Sequence, residues 1–293
     1  MSQPLVSVIL PFLNAGPAFG PALRSVLQQT YSNWELLLCD DGSTDGSLAM
    51  ARSIRDPRVT VWSDGQTKGL AARLNECLLR ARGELVARMD ADDVSYPPRL
   101  QSQVTFLEAH PEIDVVGCRM LIFGEGGSPL GKRPLPLQHE EIVSNPAAGF
   151  GLAHPTWMVR AAWYRQHQYN PQALRFEDAE LLHRTYLTSR FANLPQLLYG
   201  YRELRGGFRK RLKTRLGRLR YLHATTRETF YRAALAESIK VAFDGMLAIT
   251  GTRYPMLRLR EESLDAAELM KWQAMFAALT QHSSPLTLES AQA

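Results

Sequence analysis

The sequence predicts an α/β fold: a mostly parallel sheet with flanking helices, followed by a basic α-helical C-terminal region. Three observations predict it. Short β-rich runs alternate with helix-period segments over the first 123 residues, and the connections between them are short. Several of those runs are apolar enough to be buried on both faces. Charge is also divided unequally: residues 1–200 carry 18 Lys+Arg against 20 Asp+Glu, and residues 201–293 carry 16 against 9. The net +5 of the 293-residue chain therefore belongs to its last third, where an anionic partner is first to be sought.

The elements follow in order. Val6–Leu10 is a strand that ends at Pro11, and Pro21–Gln29 is a helix with Leu23, Val26 and Leu27 on one face. Glu35–Cys39 is a second strand, and a turn rich in capping residues, Asp40–Asp45, leads into helix up to Ile54. Arg58–Trp62 is a third strand. Gly69–Arg82 is a helix with Leu70, Leu74, Cys77, Leu78 and Ala81 at helical spacing. Glu84–Arg88 is a fourth strand, Pro97–Ala109 a helix and Asp114–Phe123 a strand. Gly124–Phe150 is rich in Gly and Pro and is expected to be loop, Ala153–Arg160 to contain a strand, and Phe176–Ser189 to be helical. The composition then turns basic and helix-forming, which places a domain boundary at 205, with a helical extension over 206–293.

The three cysteines, Cys39, Cys77 and Cys118, show no CxxC or metal spacing. Their odd number argues against a disulfide framework and fits a reducing, cytoplasmic compartment. No basic stretch precedes the apolar run at Leu5–Leu13, so no signal peptide is read. No run of about 18 apolar residues is present, so no transmembrane helix is expected.

In sheets of this kind ligands bind beyond the carboxyl ends of the strands. Pro11–Asn14, Asp40–Asp45 and Asp90–Asp93 all fall at such ends. Asp90 and Asp92 can share a hard divalent cation, Mg²⁺ or Mn²⁺, although a solvated acidic loop has the same string. Asp40 and Asp41 can accept hydrogen bonds from a base or a ribose, or simply cap a helix. Glu177-Asp178 suits the positive end of a helix dipole. Lys68 and Arg73 flank a helix start, where they can meet phosphate or solvent, and His154 is either a ligand or a structural histidine.

Taken in order, these pieces resemble a known family. Val6–Asn14, Ser25–Tyr31, Trp34–Asp45 and Ala87–Asp93 are followed by Pro98-Arg99-Leu100, His154–Arg160, Glu177-Asp178, Phe191–Pro195 and Tyr201-Arg202. Together they resemble the inverting nucleotide-sugar glycosyltransferases of family 2, over residues 4–203. The resemblance implies a GT-A fold and a nucleoside-diphosphate-sugar donor, mostly UDP-linked. It places the backbone of Pro11 and Leu13, with Asn14, against the base, Asp41 on the base and Asp40 near the sugar-nucleoside. Lys68, Arg73, Asp90 and Ala91 join the donor site, and Asp90 and Asp92 hold the metal. Asp178 is the implied general base for the acceptor hydroxyl, and His154 and Glu177 lie near metal or acceptor. Ala179–Arg184 departs from the aromatic pattern of close relatives, which leaves the acceptor open. A glycan or lipid-linked acceptor in bacterial surface polysaccharide or glycolipid synthesis is the setting implied.

Arg205–Arg220 has eight Lys/Arg and no acid, with Phe208, Leu212, Leu216 and Leu219 on one helical face. Over 205–222 this reads as a helix for an anionic membrane surface, which would put the protein on the inner face of the cytoplasmic membrane, or as a stripe packed on the catalytic domain. Rival functions are fewer. Asp90-Ala-Asp-Asp-Val94 fits the motif of haloacid-dehalogenase-like phosphatases, but it does not follow the first strand and leaves Asp40–Asp45 unexplained. No G-x-G-x-x-G follows the first strand, which argues against a dehydrogenase. A nucleic-acid binder would rest on the basic tail alone, without a motif, and nucleic acid is not an expected partner.

Overall fold

The structure is a computed structural model and describes residues 3–146, 149–203, 239 and 262–281. Nine strands form one sheet: β1 Val6–Phe12, β2 Trp34–Asp40, β3 Val59–Ser63, β4 Leu85–Arg88, β5 Val94–Ser95, β6 Val115–Phe123, β7 Pro129–Lys132, β8 Met158–Arg160 and β9 Phe191–Arg202. Their order is β3-β2-β1-β4-β8-β6-β9-β5, with β7 on β6. The helices are α1 Phe19–Leu27, α2 Ser47–Arg52, α3 Leu70–Arg80, α4 Arg99–Ala109, α5 His139–Ile142, α6 Ala161–Gln166, α7 Glu177–Thr185 and α8 Ala266–Gln281.

The expected α/β architecture is present, with a mixed sheet in place of a mostly parallel one. β3, β2, β1 and β4 are parallel, as are β6 and β9, but β8 runs antiparallel to both β4 and β6, and β5 and β7 are antiparallel edges. Strand alternation sends Val6, Val8, Leu10 and Phe12 into one core, against α1 and α4. Ile9, Leu37 and Cys39 point into a second core, against α3, α6 and α7. Three layers result, with the strand ends open between them.

Four local expectations are revised. Pro11 lies inside β1: pairing with β4 stops at Ile9↔Arg88, so the missing N–H of Pro11 leaves no ladder bond unmade on that side. Residues 124–150, expected as loop, contain β7 and α5; the latter is closed by a capping box between Gln138 and Glu141. α6 was not foreseen. Nor was β9, whose Pro195 argues against a strand; a register shift between Leu194↔Cys118 and Leu197↔Arg119 absorbs it.

α8 lies in the region the sequence sets apart from the catalytic domain, yet it packs on that domain. Trp272 is fully buried among Phe123, Tyr96 and Phe276, and its indole N–H donates to Gly127 O at 2.8 Å. Arg24 Nε donates to Leu279 O at 2.6 Å, and Lys132 pairs with Glu268 at 2.8 Å. A Cβ on Gly200 would come within 2.6 Å of the Trp272 ring, so β9 needs a glycine there. The basic segment 205–222 falls outside the described residues. Among the described residues no helix is long and apolar enough to cross a membrane.

Trp272→Ala is expected to lower unfolding free energy by about 3–5 kcal/mol, the cost of emptying a tightly packed aromatic site. The check is the urea midpoint, together with faster proteolysis within α8.

Candidate functional site

The site begins with Asp41, just beyond β2. Its N–H donates to Phe12 O at 2.8 Å, which fastens the ends of β1 and β2 together. Its carboxylate accepts from the backbone N–H of Lys68 at 2.7 Å and of Gly69 at 3.1 Å, and from Arg73 Nε at 3.0 Å. Asp41 thus holds the entry to α3 from another element. Gly69, at φ 88°, turns the chain into the helix in a conformation that only glycine adopts freely.

Arg73 is fully buried and divides its guanidinium among Asp41, Asp64 (2.6 Å) and Glu76 (2.8 Å). Lys68 Nζ bridges the same Asp64 and Glu76 from outside, at 2.6 and 2.9 Å. Hydrogen bonds from Arg73 and Lys68 hold the Asp64 carboxyl far below the usual range. Burial pushes Glu76 up, but Lys68 and Arg73 outweigh it and bring it down to about 2. These acids keep Arg73 charged despite its burial.

A cavity of about 720 Å³ opens over this network. Pro11, Leu13, Asp41 and Lys68 line one side, and Leu174, Arg175 and Glu177, from the approach to α7, line the other. Leu13 and Leu174, both exposed, add apolar surface to the cavity that Asp41 lines. Arg175 has a left-handed backbone (φ 62°), a strained state for a residue with a side chain.

Beyond this cavity lies a cluster of acids at the end of β4. Asp93 is fully buried, and its carboxylate accepts from Tyr199 Oη at 2.9 Å and from the Arg202 N–H at 2.7 Å. Arg202 also donates to Asp92 O, so β9 clamps the loop. Asp90 pairs with the buried Arg88 at 2.5 Å. Burial, then the charge of Asp90, pushes the Asp92 and Asp93 carboxyls up. Burial also raises Asp178 and Glu177, and both feel Asp90 and Arg88 as well. Glu177 therefore links the two halves: it lines the cavity and shares the electrostatics of the acid loop.

The expected residues are thus only partly brought together. Pro11, Leu13, Asp41, Lys68, Arg73 and Glu177 share the cavity wall. Asp90, Ala91, Asp92 and Asp178 belong to the neighbouring acid cluster. Three residues are committed elsewhere. Asp40 accepts from Ser43 N–H and Ser63 Oγ, which ties its own turn to β3. Asn14 Oδ1 accepts from the N–H groups of Thr44 and Asp45. His154 is buried, hydrogen-bonded to Tyr169 Oη at 2.8 Å and kept neutral by burial and by Arg88, as a structural histidine is. Arg73 in turn meets three carboxylates instead of solvent or phosphate.

The sequence reading missed Asp64, Glu76 and Tyr199, and gave Arg88 no role. Arg88 had a signal: a charge inside the apolar run Leu85–Met89 must be buried with a partner.

A three-layer α/β fold with an acid-lined cleft at its strand ends defines the class, and comparison with known proteins supplies the family. Glycosyl transferase family 2 matches residues 7–167, and the chain belongs to that family. It is a glycosyltransferase with a GT-A-like fold. EpsE of Bacillus subtilis (strain 168), named as a glycosyltransferase, is 40% identical over 217 residues, covering 72% of this chain and 77% of EpsE. The Escherichia coli UDP-Glc:alpha-D-GlcNAc-diphosphoundecaprenol beta-1,3-glucosyltransferase WfgD is 36% identical over 107 residues, covering 36% of this chain and 42% of WfgD. The fold matches the mannosyltransferase PcManGT from Pyrobaculum calidifontis, solved with GDP-Man and Mn²⁺, at a TM-score of 0.61 and 19% identity, over 97% of this chain and 82% of that one.

Arg73→Met should cost about 3 kcal/mol at neutral pH, because it leaves carboxylates facing one another around a buried site. Asp64 and Glu76 have lowered folded-state pKa values, so their stabilisation is present above the unfolded value and fades as pH falls. The gap between wild type and variant should therefore close between about pH 5 and pH 2 in urea titrations.

Proposed function

We propose that this glycosyltransferase moves a sugar from a nucleoside-diphosphate-sugar, UDP-linked, to an acceptor hydroxyl with inversion. One observation carries the reading: the cavity that Asp41 lines together with Leu13 and Leu174 is lined also by Glu177, the residue before Asp178. Asp41 would accept from the N–H of a base, with its own position fixed by Arg73 and the start of α3. The backbone of Pro11 and Leu13 would hold the same base by its edge.

The acid loop fits a divalent cation. Two carboxylates one residue apart, Asp90 and Asp92, repel each other and sit in a partly dry site, and no third acidic or histidine ligand joins them among the described residues. That donor set suits Mn²⁺ or Mg²⁺ completed by phosphate and water. When bound, the ion would neutralise charge on the departing nucleoside diphosphate. Asp178, at the start of α7, would take the proton of the acceptor hydroxyl. Burial raises its pKa and so strengthens it as a base, while the Ala179 N–H and Arg88 limit the rise.

The relatives support a glycan or lipid-linked acceptor, since WfgD is named for a diphosphoundecaprenol acceptor. A setting in bacterial surface polysaccharide or glycolipid synthesis follows. Contact of segment 205–222 with an anionic membrane belongs to the same proposal and rests on its charge pattern.

Two experiments test this. In thermal-shift titrations, UDP with Mn²⁺ should raise Tm more than UDP or Mn²⁺ alone; equal silence from UDP, GDP and their sugars would remove the donor assignment. Asp178→Asn should abolish transfer while UDP binding persists, and the acid limb of wild-type activity should lie above the ordinary aspartate range. Full transfer by a folded Asp178→Asn would exclude Asp178 as the base.

A further inference from the structure

Arg88 closes β4 opposite Ile9, and its side chain is only 4% exposed. A charged guanidinium so deep is costly unless paired and hydrogen-bonded throughout. Arg88 falls short of that. Its Nη2 meets Asp90 Oδ1 at 2.5 Å, but Nε and Nη1 are buried without a hydrogen-bond partner. Around it stand Asp92, Glu177 and Asp178, each of which feels its charge, and the neutral His154. No other cation is ion-paired to Asp90, Asp92 or Asp93 among the described residues.

We infer that Arg88 is the resident counter-ion of the acid cluster: it holds Asp90 in the absence of metal, and a divalent cation displaces it, freeing the guanidinium to serve Glu177 and Asp178. The inference rests on the reading of Asp90 and Asp92 as metal ligands. It makes Arg88 a positioning residue. It also accounts for an arginine with spare donors in a dry site, since its charge already acts on Glu177 and Asp178. Competition for one carboxylate makes metal binding and the Arg88–Asp90 pair mutually weakening, and the coupling is reciprocal.

The test compares Mn²⁺ affinity, from the electron paramagnetic resonance signal of unbound Mn²⁺, with and without UDP. Arg88→Met should bind Mn²⁺ about tenfold more tightly than wild type, within the usual range of such couplings, while its transfer rate falls. A merely structural role would weaken Mn²⁺ binding; unchanged or weaker binding in folded Arg88→Met overturns the proposal. Asp90→Asn, melted in EDTA, gives a second decision that does not depend on Arg88→Met folding. Removing one of several crowded acids normally raises Tm; here Tm should fall, because Arg88 loses its partner. A rise would overturn the ion pair. Wild type that binds no Mn²⁺ even with UDP would defeat the metal reading and the displacement with it, and the melting of Asp90→Asn would still decide whether Arg88 is the counter-ion.

Discussion

Carboxylates gathered at one edge of a sheet repel, and the repulsion grows as water is excluded. Here Asp41, Asp64 and Glu76 crowd the end of β2 and the start of α3, while Asp90, Asp92 and Asp93 crowd the end of β4. The first group is organised around one buried guanidinium, Arg73; in the second, the buried Arg88 pairs with Asp90 while Tyr199 and Arg202 hold Asp93. The two solutions differ. Arg73 is surrounded by acceptors, and with Lys68 it holds the Asp64 and Glu76 carboxyls low. Arg88 has one ion-paired acid and two idle donors, and burial, then the charge of Asp90, pushes the Asp92 and Asp93 carboxyls up. The same residue type thus builds a fixed wall in one place and an adjustable centre in the other.

The fold delivers these groups by simple means. Parallel pairing of β1, β2 and β4 brings Pro11, Asp41 and Asp90 to one edge, although far apart in sequence. The antiparallel half does something else. β9 reaches across with Tyr199 and Arg202 to hold Asp93 and Asp92, so the acid loop is gripped by a strand from the far side of the sheet. A purely parallel sheet with crossover helices would have placed no such strand there.

The sequence announced the first half well, because its signals are local. Strand, turn and helix alternate within short windows, and Asp40–Asp45 and Asp90–Asp93 interrupt apolar runs where a strand must end. The second half was poorly legible. Pro195 hides β9, and the bulge that rescues it depends on β6, some 75 positions upstream. The same distinction governs the site. That Asp41 and Asp178 are candidate site residues is legible in their motifs, but the partners of Arg73 are not: Asp64 and Glu76 look like surface acids until α3 packs on β2. Asn14, Asp40 and His154 show the converse, since residues with the right chemistry are spent on tying loops and filling core.

The return of α8 to the sheet bears on how the protein is made. Val94, Tyr96, Leu121 and Phe123 lie in the first half of the chain, but the residue that seals them, Trp272, comes close to its end. Contacts so distant in sequence form late. During synthesis, which proceeds from the N-terminus, β1 to β4 can assemble early, whereas the face under α8 stays bare until residues 266–281 have been added. Until then the chain carries an open aromatic patch that includes Tyr96 and Phe123. Completion of this part of the core waits on residues 266–281, and in that interval the nascent protein depends on speed of synthesis and on whatever else shields apolar surface.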